Sequence, residues 1–74
     1  MRKVFYKGVK NDLTSGWASM YEENGKYEAE LWTHSGGSYY GDDGFTRFRA
    51  RFDNYDAANH ALEDSMRQWQ VWYS

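Results

Sequence analysis

Along four stretches of the chain apolar and polar residues alternate, and along a fifth the apolar spacing widens to a period of about 3.6. The clearest alternation spans residues 17–32, WASMYEENGKYEAELW, with Asn24-Gly25 at its centre. That dipeptide favours a two-residue hairpin turn, because both central positions need positive φ. The register it sets pairs Glu23 with Lys26, Met20 with Ala29, Ala18 with Leu31 and Trp17 with Trp32. Side chains then divide by parity. Ala18, Met20, Tyr27, Ala29 and Leu31 fall on a core face. Trp17, Tyr21, Glu23, Glu28, Glu30 and Trp32 fall on an outer face that is both acidic and aromatic.

Two further stretches read as strands. Residues 2–9, RKVFYKGV, are β-prone and basic, and residues 10–16 carry turn formers. Residues 45–52, FTRFRARF, alternate strictly, with Thr46, Phe48, Ala50 and Phe52 on one face and Phe45, Arg47, Arg49 and Arg51 on the other. Antiparallel to 27–32, this strand sets its arginines beside Glu28 and Glu30, as a cross-strand charge ladder. From Asp53 onward the period is helical. Asp53 is the expected cap, with Asp56 three residues on, and Ala58, Ala61, Leu62, Ser65, Met66 and Trp69 form one apolar stripe. The expected fold is therefore α+β: strands over about 2–9, 17–22, 27–32 and 45–52 make a three- to four-stranded antiparallel sheet. One C-terminal α-helix over about 54–69 packs on one face. Residues 71–74 fit either a helix extension or a short edge strand.

Composition sharpens this picture. The 74 residues make one small domain, read as a complete gene product, with no cysteine and no proline. No disulfide, thiolate metal site or cysteine nucleophile is possible. No apolar run approaches the roughly 20 residues that span a bilayer, and a soluble, cytoplasmic protein is expected. The chain has four Trp, four Phe and seven Tyr, but no Ile and only three Val and three Leu. Aromatics, methionines and alanines must therefore fill much of the core, and the remaining rings must lie on the surface, where Tyr and Trp anchor interfaces. The formal charge of −2 is not the basic footprint of a nucleic-acid binder.

The search for chemistry returns little. His34 and His60 have no cysteine or spaced carboxylate to complete a metal set. Asp42-Asp43-Gly44 lacks the spacing of a calcium loop, and Gly36-Gly37 lacks the strand–loop–helix setting of a phosphate cradle. No cofactor and no catalytic residue is expected. The stretch THSGGSYYGDDGF (33–45) is longer than an ordinary hairpin loop and mixes Tyr, Ser, Gly and Asp as recognition loops do. Tyr39, Tyr40, Asp42 and Asp43, together with Trp17, Tyr21, Glu28, Glu30 and Trp32, are the expected partner-binding residues.

Two resemblances bear on function. GFTRFRARFDNYDAANHAL (44–62) resembles the third strand and second helix of an RNA-recognition motif, and KVFYKGV its first strand. That likeness implies nucleic-acid binding through Phe45, Arg47, Arg49 and Arg51. It departs from the family at Asp43, Thr46 and Arg47, and where the family's first helix would fall on 15–24. In size, absence of cysteine, acidic-aromatic surface and sheet-then-helix order, the chain also resembles the small proteins that phages make to block host machinery, such as anti-CRISPR proteins and polymerase inhibitors. This second likeness is one of architecture. It implies a non-enzymatic protein-binding module acting on a host protein or complex, by steric occlusion or by mimicry of nucleic-acid charge through Glu22, Glu23, Glu28, Glu30, Asp42 and Asp43.

Overall fold

A computed structural model describes residues 1–35 and 43–74. The strands are β1 (Arg2–Lys10), β2 (Ser15–Glu23), β3 (Lys26–His34), β4 (Gly44–Phe52) and β5 (Trp72–Tyr73), with one helix, α1 (Tyr55–Gln68), between β4 and β5. They form one antiparallel sheet in the order β4-β3-β2-β1-β5. The α+β class and the C-terminal helix agree with the sequence reading. The sheet has five strands rather than three or four, because the chain turns back after α1 and pairs Tyr73 with Val9 and Trp72 with Lys10.

Local chemistry explains the connections. Asn24 and Gly25 adopt φ 53° and 80°, the two left-handed positions of a tight hairpin, and all four predicted cross-strand pairs form. Between β1 and β2 the Asn11 side-chain oxygen accepts from the amides of Leu13 and Thr14, each at 2.8 Å, a side-chain copy of a backbone turn. Asn54, not Asp53, caps the helix: its side chain accepts from the Ala57 amide at 2.8 Å. Asp53 instead pairs with Lys26, which holds its carboxyl below the usual carboxylate range.

Two β-bulges reset the parity of their strands. In β1 the pairing skips Val4, and in β4 it skips Arg47. The second overturns the expected division of 45–52. Thr46 pairs with Trp32, and Arg49 with Glu30, both on the face away from α1, whereas Phe45 pairs with Thr33 on the helix side. Arg47 likewise points to the helix side, where Nε donates to Thr33 Oγ1 at 2.9 Å. The three arginines thus do not share a face.

The helix runs back along β4 and β3. Its fourteen residues span about 21 Å, roughly the rise of six residues of strand. This returns Trp69 to a position beside Arg47, with 4.7 Å between the guanidinium and the ring centroid. Ala58, Leu62, Ser65 and Met66 are its buried residues. Trp69, expected on that stripe, is instead the C-cap and is 45% exposed. The turn that follows is a Schellman motif: Gln70 donates to Arg67 and Val71 to Met66, while Gln70 takes φ 56°. Val71 is thereby driven into the core.

The fully buried core is Val9, Ala18, Met20, Ala29, Leu31, Ala58, Leu62, Met66 and Val71. Among the described residues it holds no aromatic ring. Phe5, Tyr27, Phe48, Phe52 and Tyr73 ring it at half burial, so the aromatics close the margins of the core rather than fill it. Phe5 meets Tyr73 edge-on at 5.9 Å between centroids, covering the part of β1 that α1 leaves open. Burial, with the nearby Glu63 second, pushes the Tyr73 hydroxyl above the usual tyrosine range.

Gln70 offers a direct check of the helix stop. A side chain in the left-handed region carries a strain that glycine lacks. Gln70→Gly is expected to raise stability by about 1 kcal/mol or less, once the freedom glycine adds to the unfolded chain is subtracted. Urea denaturation measures this; a loss of stability would mean that the turn is not left-handed.

Candidate functional site on the open sheet face

α1 packs on one face of the sheet; among the described residues no element packs over the other, which divides into two halves. The first is charged. Glu30 meets Arg49 at 3.4 Å and Glu28 meets Arg51 at 3.9 Å, with Tyr21 half-buried beside Glu28 on β2. The expected ladder is therefore present, but with two rungs. Both arginines are well exposed, so each rung contributes roughly 0.2–1 kcal/mol at most.

The second half is aromatic. Trp17 and Trp32 occupy directly opposed positions on β2 and β3 and stack with centroids 4.6 Å apart and planes 13° apart. Tyr6 on β1 extends the row, 6.3 Å from Trp17, and Lys3 lies over the outer ring, 4.6 Å from its centroid. His34 closes the other end, 4.7 Å from Trp32 and nearly perpendicular to it. Gly44 makes room: a Cβ there would lie 2.2 Å from the Trp32 ring, so only glycine lets the indole lie across β4. Beneath the row Ser19, opposite Tyr6 and Glu30, is only 2% exposed although nothing from α1 covers it. The side chains around it form a continuous layer.

The layer is open to solvent above. Tyr6 is 51% and Trp17 37% exposed. Large rings held rigidly by each other, with one side wet, combine large contact area with little side-chain entropy to lose on binding. Trp17, Trp32, Tyr21, Glu28 and Glu30 all stand on this face, as expected from sequence. Tyr6 and His34 join them without having been singled out. The parity of 2–9 contained Tyr6, but the bulge at Val4 prevents phasing β1 against β2 from sequence. Asp43 is exposed, and its carbonyl accepts from the Ser35 amide at 2.9 Å. Tyr39, Tyr40 and Asp42 lie outside the described residues. Phe45, 58% exposed, stands with Arg47 on the opposite side of the sheet, away from Arg49 and Arg51.

The charge-mimicry set changes too. Glu28 and Glu30 are neutralised by Arg51 and Arg49, and Glu22 lies 3.6 Å from Arg2. Among the described residues no three His, Asp or Glu side chains gather as a metal set, and no helix is long and apolar enough to cross a membrane. The RNA-recognition likeness meets a topological difference: residues 15–23, where that family has a helix, are β2. Comparison with protein-family models, curated proteins and solved structures finds no match to this chain.

Proposed function

We propose that this chain is a small, non-enzymatic protein-binding module that docks through the aromatic half of its open sheet face. Its action is steric occlusion of a host protein or complex, in the manner of the small inhibitors that phages encode. The observation that carries this reading is the stacked Trp17–Trp32 pair, flanked by Tyr6 and His34 on a face that no described element covers. Tryptophan and tyrosine dominate the energetic centres of protein interfaces, surrounded by polar groups that exclude water. Here the Glu28–Arg51 and Glu30–Arg49 pairs supply such a polar rim.

Occlusion is favoured over charge mimicry because three of the acidic residues it needs are paired within the chain. A protein partner is favoured over nucleic acid for two reasons. Base stacking needs free ring faces, and Trp17 and Trp32 spend one face each on the other. Arg49 and Arg51 are likewise engaged by glutamates.

Capture from host lysate, run with and without nuclease, tests the proposal when the native chain is compared with Trp17→Ala. Nuclease-resistant capture by the native chain and its loss in the variant is the expected result. Against the purified partner, Trp17→Ala is expected to weaken binding by about 2 kcal/mol or more. The melting temperature, measured in parallel, separates lost contact from lost fold. Capture abolished by nuclease would replace this reading with nucleic-acid binding. Undiminished capture by a folded Trp17→Ala protein would remove the aromatic row from the account.

A further inference from the structure

Arg47 differs from every other arginine of the chain. Arg2, Arg49, Arg51 and Arg67 each have a carboxylate within ion-pair distance, whereas among the described residues Arg47 has none. It is nonetheless held in place. The β4 bulge turns it to the helix side, the buried Thr33 hydroxyl accepts from its Nε at 2.9 Å, and its guanidinium lies 4.7 Å from the Trp69 ring and 5.1 Å from the Phe45 ring. A guanidinium fixed through Nε and stacked on rings keeps its two terminal nitrogens for a ligand.

Those surroundings form a cavity. Thr14, Thr33, His34, Arg47, Trp69 and Val71 are among the residues that wall a space of about 230 Å³ between the end of the sheet and the helix stop. A second space of about 410 Å³ shares the walls Asn11, Leu13 and Gln70 and is bounded further out by Asp12 and Trp72. The inner space is cationic at Arg47. The outer one offers two exposed apolar side chains, Leu13 and Trp72, with one acidic residue.

We propose that these two neighbouring spaces, which share three walls, together bind a carboxylate carried on an apolar group, either a small organic acid or a peptide C-terminus. The planar fork of Arg47 matches the two oxygens of a carboxylate, and one arginine with no ion pair among the described residues balances one negative charge. Asp12, at the far side, disfavours an anion there and so fixes the polarity: carboxylate inward at Arg47, apolar group outward on Leu13 and Trp72. The inner space lies on the helix side at the end of the sheet, with His34 of the aromatic row as one of its walls, and the outer one reaches Trp72, which by register stands on the open side of the sheet border.

The test is titration of the isotope-labelled protein, followed at the Arg47 Nε–H and the Trp69 indole N–H. The probes are N-acetyl-leucine, its uncharged amide, a peptide ending in leucine, and inorganic phosphate. Saturable shifts with the acid and none with the amide are expected. Arg47→Lys keeps the charge but loses the fork, and is expected to weaken binding by about tenfold; Arg47→Gln is expected to abolish it. Unshifted Trp17 and Trp32 resonances show that a variant is folded, and should Arg47→Gln unfold, Arg47→Lys and the acid–amide comparison still decide. Tighter binding of the peptide than of N-acetyl-leucine assigns the carboxylate to a chain terminus, and equal binding assigns it to a small acid. Equal response to acid and amide, phosphate binding as tightly as the acid, full-strength binding by Arg47→Lys, or no saturable shift at all would each overturn the proposal.

Discussion

Leu62→Ala is expected to unfold the protein or bring it to the edge of unfolding. Leu62 is completely buried at the centre of the α1 stripe, among Ala18, Met20, Ala29 and Leu31 of the sheet. Removing its branched end costs the lost transfer energy and leaves a cavity, together about 2–5 kcal/mol. A chain of this length has roughly 4–11 kcal/mol of stability in all. Its neighbours cannot collapse into the gap easily. Three members of the surrounding core, Ala18, Ala29 and Ala58, have no length to extend, and the half-buried rings stand at the margins. Gln68→Ala, on the exposed side of the same helix, is the control and is expected to stay within about 0.5 kcal/mol. Urea denaturation followed by far-ultraviolet circular dichroism measures both. Equal midpoints for the two variants would show that the buried side of α1 is misassigned.

The second large effect is expected from a single methyl group. Gly16 lies in β2 between Val9 of β1 and Thr33 of β3, and it is buried. A Cβ at this position would stand 1.9 Å from the Trp32 carbonyl oxygen and 2.7 Å from the Thr33 Cα. Both are backbone atoms, so no side chain can rotate away, and β2 must separate from β3. Overpacking of this kind costs about 1–3 kcal/mol and sometimes more, and Gly16→Ala should lie at the upper end. Gly8→Ala makes a fair comparison, because its one close contact would be the Ser74 hydroxyl, at 2.8 Å, a side-chain atom near residue 74, with the Gly16 carbonyl at an ordinary 3.9 Å. The damage from Gly16→Ala also has a local signature. Trp17 is the next residue, so the near-ultraviolet dichroism of the stacked indoles should weaken, while Gly8→Ala should leave it intact. A Gly16→Ala protein with native stability and native indole dichroism would mean that β2 and β3 do not approach so closely here.

What could be read from the sequence, and what could not, follows from how local each signal is. The Asn24-Gly25 turn and the alternation on both sides of it are properties of adjacent residues, so the β2–β3 register and the facing of Trp17 and Trp32 were legible in full. The phase of α1 was legible through Met66, since four of the six stripe positions are buried and Ala61 is half-buried. Trp69 was misplaced because the helix ends before it, in a left-handed residue that is a glutamine rather than the usual glycine. β5 has only two residues and takes its structure from β1, so no period announces it. The bulges were the largest loss. One unpaired residue leaves no mark on composition, yet it moved Phe45 and Arg47 across the sheet and separated Arg47 from the other two arginines. The site was legible to the same degree: the indole pair from register, but Tyr6, His34 and the Arg47 cavity only from the folded chain.

The same bulges have a consequence for how copies of the chain meet. Among the described residues, a sheet ordered β4-β3-β2-β1-β5 has two open sides, β4 along its length and β1 wherever the two residues of β5 do not reach. Unpaired amides and carbonyls on such a border invite another chain to add itself as the next strand, the first step toward ordered aggregates. The two irregularities fall on these two strands and on neither of the interior ones. Each breaks the run of evenly spaced donors and acceptors and increases the local twist. Lys3 and Arg47 add charge along the same borders, which repels a second copy bearing the same pattern. A chain that exposes stacked indoles on its open face in this way gives a neighbouring molecule little opportunity to extend the sheet.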